Sequence, residues 1–318
     1  MKRGKKRPII KRLLLFFFTL VMLSGVGMIY LDFIYNQMYK NSNVGELVSD
    51  DDRYSKIVKN NFDVLNVLVV GLDEPEEKYR GRSDATMILS IDDRHKKIKI
   101  TSLMRDLWIP IPGYGEGKLN WAYPKGGMPT LYKVIYSHFG IKIDKYAMVD
   151  FKKFENVIDQ IGGIDLSLTT KEVNFVNKYS DSREKLVGSG LMHLNGNQAL
   201  QFARDRDDPS GDFKRTERQR IVISAIINQM KNKVVNQKIG MIELMSLANN
   251  VMKSVKHDFS AGDVILLTKQ IKKFINYQVV MCRIPVNCKI GVKNGHSVML
   301  ADLNECKKDL LNFVYENG

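Results

Sequence analysis

Between Ala199 and Arg220 the chain places Arg204, Arg206, Arg215, Arg218 and Arg220 within seventeen positions. They are interrupted by Asp205, Asp207, Asp208 and Asp212 and by a Pro209-Ser210-Gly211 turn. Guanidinium forks at this density suit a phosphate or pyrophosphate, and carboxylates among them can hold a hard divalent cation beside it. The second half reads as a helix start. Asp212 is placed to serve as N-cap, and Val222, Ile226 and Met230 recur at four-residue steps, with Ile223 and Ile227 widening the apolar stripe. Traced backwards, that stripe passes through Gln219 and Arg215. A guanidinium on a face that is buried two turns later needs an anion, and a helix N-terminus is itself an anion site. A solvated, salt-bridged helix end has the same composition.

Three further acids stand where strands should end. Residues 64–71 form a nearly continuous aliphatic run, as expected of a strand buried on both faces, and open into Leu72-Asp73. Gly81-Arg82-Ser83-Asp84 leads into a second run at 85–91, and 92–96 form a turn into an alternating third at 97–103, followed by Arg105-Asp106. The ends of central strands are where α/β sheets bind ligands. Each motif alone has a plainer reading: a turn carboxylate for Asp73, a turn for Arg82 to Asp84, a surface ion pair for Arg105-Asp106. Their convergence on strand ends favours a site.

Around these residues the pattern predicts a loop at 110–117, helices at 127–139 and 151–161 and a short strand near 146–149. A strand follows at 164–168, then an irregular stretch at 169–190 and a helix starting near Leu194. Later come helices at 238–253 and 261–275, a strand at 277–284, and a closing helix at 302–316 capped by Asp302. Neither repeats nor low-complexity linkers follow residue 62, so the expectation is one α/β domain, a central mixed sheet flanked by helices.

The formal charge of +14 is concentrated at the start: Lys2, Arg3, Lys5, Lys6, Arg7, Lys11 and Arg12 precede nineteen uncharged residues at 13–31. That run is long enough to span a ~30 Å hydrocarbon core as a helix. With no small-x-small cleavage site before Asp32, it reads as an uncleaved anchor. The expected organisation is a cytoplasmic basic tail at 1–12, a single-pass transmembrane helix at 13–31, a stalk at 32–62 and an extracytoplasmic domain at 63–318. Topology and anionic lipid then account for the basic tail, and no nucleic-acid partner is expected. Cys282 and Cys288 are close enough to pair, whereas Cys306 lies on the apolar stripe of the last helix. The five histidines are scattered and suggest neither a zinc site nor a Ser-His-Asp triad.

Taken in order, Asn66 to Gly71 with Asp73, Gly81 to Asp84, Ser102 to Asp106, Pro112-Gly113-Tyr114, Lys118-Leu119-Asn120 with Ala122-Tyr123, Gly162-Gly163-Ile164, His193 to Gly196 with Gln198-Ala199-Leu200, Arg204-Asp205-Arg206, and Asp212 with Arg215, Arg218 and Gln219 resemble the successive blocks of the LytR-CpsA-Psr family. The resemblance covers residues 63–235, leaving 236–318 to complete the domain. It implies a membrane-anchored phosphotransferase of Gram-positive cell envelopes. Such an enzyme moves a phosphate-linked glycopolymer, wall teichoic acid or capsular polysaccharide, from a polyprenyl-pyrophosphate carrier to peptidoglycan, with Mg²⁺ or Mn²⁺ as cofactor. Carried over by position, Asp73 and Asp84 hold the metal, and Arg82, Arg105, Arg204, Arg206, Arg215 and Gln219 bind the pyrophosphate. Arg105, Asp106 and Arg204 are the catalytic set, with Asp106 either activating the acceptor hydroxyl or tying down Arg105. Leu72 departs from the family, which commonly has Thr there. The polyprenyl chain would need an apolar tunnel, and the helices at 127–139 and 151–161 are candidate walls. Two other functions remain open: a polyprenyl-pyrophosphate hydrolase using the same groups on water, and a non-catalytic envelope sensor or transcription attenuator.

Overall fold

The computed structural model describes residues 64–73, 81–208 and 211–316. The expected tail, anchor and stalk lie outside the described residues, among which no helix is long and apolar enough to cross a membrane. Val64–Leu72 (β1) pairs antiparallel with Ser83–Asp92 (β2), which pairs antiparallel with Lys97–Leu103 (β3). Lys145–Val149 (β6) joins parallel to β1, and Gln278–Ile284 (β10) joins parallel to β3. A two-residue strand, Lys256–His257 (β9), closes the far edge of this six-stranded mixed sheet, whose order is β10-β3-β2-β1-β6-β9. Because β2 alone among the central strands runs against its neighbours, its first residues lie beside the last residues of β1 and β3: Leu72 opposes Ser83 and Thr86 opposes Leu103. The three predicted acid-bearing positions therefore share one end of the sheet.

Side chains alternate across a strand, so each strand serves two faces. Leu68 and Val70 of β1 and Ile88 of β2 enter a core built with Ala122–Phe139 (α1) and the closing helix Leu303–Tyr315 (α8). α1 is two helical pieces merged at Gly127, which takes φ +69°, a conformation that a Cβ would strain. Pro129 follows in the first turn of the second piece, where a missing N–H costs no helical bond. As expected, Asp302 caps α8, accepting from Asn304 N at 2.8 Å, and Cys306, Leu310 and Val314 are buried in its stripe. Fully buried Lys99 fastens α8 to the sheet through Asp92 Oδ2 (2.6 Å), Glu316 Oε1 (2.9 Å) and Val314 O (2.7 Å). A second core joins Phe151–Gln160 (α2), Ile164–Leu168 (β7), Thr170–Tyr179 (α3), Gly196–Arg204 (α4) and Asp212–Val235 (α5).

Several expectations are corrected. The irregular stretch at 169–190 contains α3, because Thr169 and Glu172 form a reciprocal capping box, and it runs into Gly190–Leu194 (β8), which pairs with β7 in a separate ribbon. The loop at 110–117 is the turn of a hairpin between Trp108–Ile111 (β4) and Gly115–Lys118 (β5). Lys289–Lys293 (β11) and His296–Leu300 (β12) form another unforeseen hairpin. Cys282 and Cys288 are both free thiols. Met241–Ser254 (α6) and Ala261–Phe274 (α7) lie close to where periodicity put them.

Candidate functional site

Asp84, the second residue of β2, is where the arginines meet. Its Oδ2 accepts from Arg105 Nη1 at 2.6 Å and lies 3.8 Å from Arg215 Nη1 and 3.9 Å from Arg206 Nη2. Its Oδ1 accepts from Asn120 Nδ2 at 3.0 Å. A second carboxylate, Asp212, lies 2.8 Å from Arg215 Nη2 and 3.1 Å from Arg105 Nη2. Asp212 is not the N-cap expected of it. Gly211 holds that position without a side-chain bond, and Asp212 in the first helical turn turns its carboxylate onto the two arginines, whose charge outweighs what a cap would contribute. Arg105 thus engages three acids through three different nitrogens, its Nε being 3.5 Å from Asp106 Oδ2. Asp106 in turn accepts from Lys118 Nζ at 2.7 Å.

The sequence places Arg215 on the buried face of α5, and its side chain is only 3% exposed. Burial pushes its guanidinium down to about 10, against the opposing attraction of Asp212, so it stays charged at neutral pH. Asp73 sits where β1 ends. Its side chain accepts from Arg82 N, and its own N–H donates to Arg82 O at 3.1 Å, so the chain that leaves at Asp73 is pinned where it returns. Gly81 makes this approach feasible: at φ +76° a Cβ there would stand 2.7 Å from Asp73 O.

These residues divide between two cavities. The larger, about 670 Å³, is lined at its polar end by Asp73, Asp84, Arg204, Arg206, Arg215 and Gln219. Its other walls are aliphatic and aromatic: Val69 and Met87 from the sheet face turned away from the first core, Phe151 and Phe154 from α2, and Leu200 and Val222 from α4 and α5. Here a cavity takes the place of close packing between sheet and helices. α2 forms a wall as expected, but α1 does not, because its apolar stripe is spent on the opposite face with α8. The smaller cavity, about 260 Å³, is lined by Arg82, Arg105, Asp106, Lys118, Asn120, Trp121 and His296. The Asp84 carboxylate stands between the two sets, touching Arg206 and Arg215 of the first and Arg105 and Asn120 of the second.

The clustered arginines differ in kind. Arg204 is exposed, stacks over the Phe151 ring at 4.5 Å, and has no carboxylate in ion-pair range among the described residues. Arg206 is half exposed, and its one ion-pair contact among the described residues is with Asp84 at 3.9 Å. Arg218, by contrast, is buried and bonded to Glu172 Oε1 (3.2 Å), Asp205 O (3.1 Å) and Asp205 Oδ2 (3.0 Å), tying α5 to α3 and to the end of α4. It is a structural ion pair. The sequence reading gave Asp212 only the role of a cap and gave none to Lys118 or Asn120, nor to Trp121 and His296. Lys118 and Asn120 stood within a quoted block, but His296 is far along the chain and carried no local signal. The described three-ligand group Asp92, His95 and Glu316 already holds Lys99, and Lys97 lies 2.9 Å from Glu316, so cations are supplied there by the protein.

Comparison with known proteins agrees with this architecture. The crystal structure of Bacillus subtilis TagV superposes with a TM-score of 0.66 at 26% identity, covering 80% of this chain and 98% of that one. A structure of TagT bound to LI-WTA gives 0.63 at 25% identity over 80% of this chain and 92% of that one. In sequence, the polyisoprenyl-teichoic acid–peptidoglycan teichoic acid transferase TagV of Bacillus subtilis (strain 168) is 31% identical over 71% of this chain. The regulatory protein MsrR of Staphylococcus aureus (strain COL) is 36% identical over 53% of it. The matched regions span only 59% and 50% of those two relatives. The LytR_cpsA_psr family model matches residues 32–310, and the chain belongs to that family.

Proposed function

We propose that this protein is a phosphotransferase that moves a phosphate-linked glycopolymer, wall teichoic acid or capsular polysaccharide, from a polyprenyl-pyrophosphate carrier to a peptidoglycan hydroxyl. The observation that carries this reading is the larger cavity, where aliphatic walls between sheet and helices run up to a polar end bearing Arg204, Arg206 and Arg215. An amphiphile with a long apolar chain and a multiply charged head fits that division, since each buried CH₂ contributes ~0.8 kcal/mol while guanidiniums take the phosphates. The names of TagV as a transferase and of TagT bound to LI-WTA support the same substrate class.

The chain's residues divide the work. Arg204 and Arg206, not saturated by described carboxylates, receive phosphate oxygens, and Arg215 and Gln219 hold the head from the α5 side. Asp73 and Asp84 fit a divalent cation such as Mg²⁺ or Mn²⁺, because both carboxylates line the same polar end and such ions bind through one or two carboxylates plus phosphate oxygens and water. When bound, the cation supplies neutralising charge at the pyrophosphate. The acceptor hydroxyl oxygen attacks the glycan-bearing phosphorus, the bridging P–O bond breaks, and polyprenyl phosphate leaves. Asp106 takes the hydroxyl proton, held in place by Lys118. Arg105 stabilises the charge that builds on the phosphoryl oxygens from the opposite side of Asp84. The nineteen uncharged, mostly apolar residues after the basic tail anchor the chain in the cell membrane, with the N-terminus cytoplasmic and the domain outside.

The name of MsrR favours a second reading, a regulator without catalysis. Full-length chain in detergent, given a polyprenyl-pyrophosphate-linked glycan, Mg²⁺ and glycan acceptor, separates the readings. Phosphodiester product that requires acceptor supports transfer, donor loss without acceptor indicates a hydrolase, and no turnover indicates a regulator.

A further inference from the structure

The smaller cavity is outside the donor site, and its lining is of a different kind. We propose that it binds one amino-sugar ring of the acceptor glycan and presents that ring's hydroxyl to the donor phosphate, an inference that rests on the transfer reading above. Four observations lead there.

First, the lining mixes both hydrogen-bonding senses. Arg82, Arg105 and Lys118 only donate, whereas Asp106 accepts, and sugar hydroxyls and amides need both. A bare phosphate would gain nothing from Asp106. Second, Asn120 is 3% exposed and its Oδ1 has no hydrogen-bond partner among the described residues. Its orientation is set by Asp84, an acceptor that must take the Nδ2 hydrogen at 3.0 Å, so this cavity-lining amide keeps a buried acceptor that a small side-chain rotation toward a sugar N–H or O–H would satisfy. Third, the cavity has an aromatic wall. Trp121 lines it, edge-on to Trp108 (6.0 Å) and to His296 (5.2 Å), with the flexible Lys125 ammonium 5.8 Å from its ring centroid, and an indole is the kind of surface against which a sugar ring packs its C–H face. Fourth, the partition between this cavity and the donor cavity is the Asp84 carboxylate with Arg105 upon it, and Asp106, the proposed base, lines the acceptor side alone.

His296 is brought here by the β11–β12 hairpin. Met299 N donates to Asp106 O at 2.8 Å and Met299 bridges to Leu107, so the hairpin is fixed to the segment that carries Arg105 and Asp106. This gives part of the region after residue 235 a role in acceptor choice. At about 260 Å³ the cavity holds roughly one saccharide unit and selects the ring that carries the hydroxyl, leaving the rest of the strand outside. Trp121 and His296 act here as specificity residues, and the reacting bonds remain those of the transfer: acceptor O–P forms, bridging P–O breaks, and the hydroxyl proton passes to Asp106.

The test uses full-length chain in detergent, with a soluble tetrasaccharide of alternating N-acetylglucosamine and N-acetylmuramic acid as probe. Wild-type protein should show saturable quenching of tryptophan fluorescence by the tetrasaccharide, and Trp121→Phe, which leaves Trp108 as the only tryptophan, should lose most of the change. In transfer assays His296→Ala and Trp121→Ala should raise the acceptor KM about tenfold or more, with the donor KM within twofold of wild type. His296 is exposed on a hairpin, so its variant keeps the test valid where Trp121→Ala fails to fold. A parallel rise in donor KM, or no change in either, overturns the proposal. Transfer without saturable tetrasaccharide binding overturns it as well. Tetrasaccharide binding that is lost in His296→Ala, in a protein that performs no transfer, sustains the sugar site and sinks the transfer reading instead.

Discussion

Replacing Arg204 by Ala should cripple transfer while leaving the fold intact, and the magnitudes follow from its surroundings. Arg204 makes one described contact of note, its guanidinium 4.5 Å from the Phe151 ring centroid, and such an exposed cation–π pair contributes ~0.5–1 kcal/mol. For a domain of about 250 residues that is at most ~4 °C in Tm. Loss of a charge-assisted contact to the transition state costs ~2–4 kcal/mol in a water-excluded site. Because Arg204 is exposed in this chain, the lower part of that range applies, ~2–3 kcal/mol, or roughly 30- to 150-fold in kcat/KM. Arg204→Lys should recover only part of the loss, since an ammonium cannot present a planar fork. The assay is acceptor-dependent transfer by full-length protein, alongside thermal unfolding of the same preparation. Near-normal kcat/KM in Arg204→Ala, or a Tm loss well beyond 4 °C with normal turnover per folded molecule, would refute the assignment of Arg204 to the donor head group.

Arg105→Ala should lose more than Arg204→Ala, because its side chain is only 18% exposed and spans three acids. The double variant should lose less than the sum of the singles, and strict additivity would count against a shared transition state. Arg218→Ala should behave in the opposite way: removing it leaves Asp205, 3% exposed, buried without its cation. The cost is ~3–5 kcal/mol, on the order of 10 °C in Tm, with near-normal turnover in whatever remains folded, as scanning calorimetry plus transfer kinetics would reveal. Burial alone would raise the Asp92 carboxyl, but hydrogen bonds from Lys99 and His95 prevail and hold it below the usual carboxylate value. A folded-state pKa below the unfolded one stabilises above about pH 4 and is lost as pH falls through the lowered value. The stability gap between wild type and Asp92→Asn, measured by urea unfolding, should therefore be widest near neutrality and shrink below about pH 4; a gap independent of pH would contradict the network. Protease added to intact protoplasts should remove the domain, and full protection would reverse the proposed topology.

Local sequence was informative wherever the outcome depended on neighbours along the chain. The aliphatic run before Asp73 and the alternation at 97–103 became central strands β1 and β3. The four-residue steps after Val222 became α5 with Arg215 on its buried side. Even the placement of acids at strand ends followed from period and punctuation. The Thr169–Glu172 capping box was equally local, and reading it would have shown that 169–190 begins with a helix. What the sequence could not specify was which faces meet. Two helices of similar amphipathic pattern, α1 and α2, were equal candidates for a tunnel wall, yet α1 packs with α8 on one face of the sheet and α2 lines the cavity on the other. Hydrophobic periodicity says that a stripe must be covered and is silent about its partner. The same holds for the charges. Arg204 and Arg218 look alike in one arginine-rich stretch, but the turn after α4 and the rotation of α5 send the first to a cavity and the second into Asp205 and Glu172. Asp212, readable as a cap, was claimed by two guanidiniums that arrive from the turn after β3 and from its own helix. The sequence by itself determined the family, the central strands and most of the helices, and the kinds of group present; tertiary structure decided the division into a larger and a smaller cavity across Asp84, because a carboxylate's partners come from strands and helices that only packing brings within 4 Å.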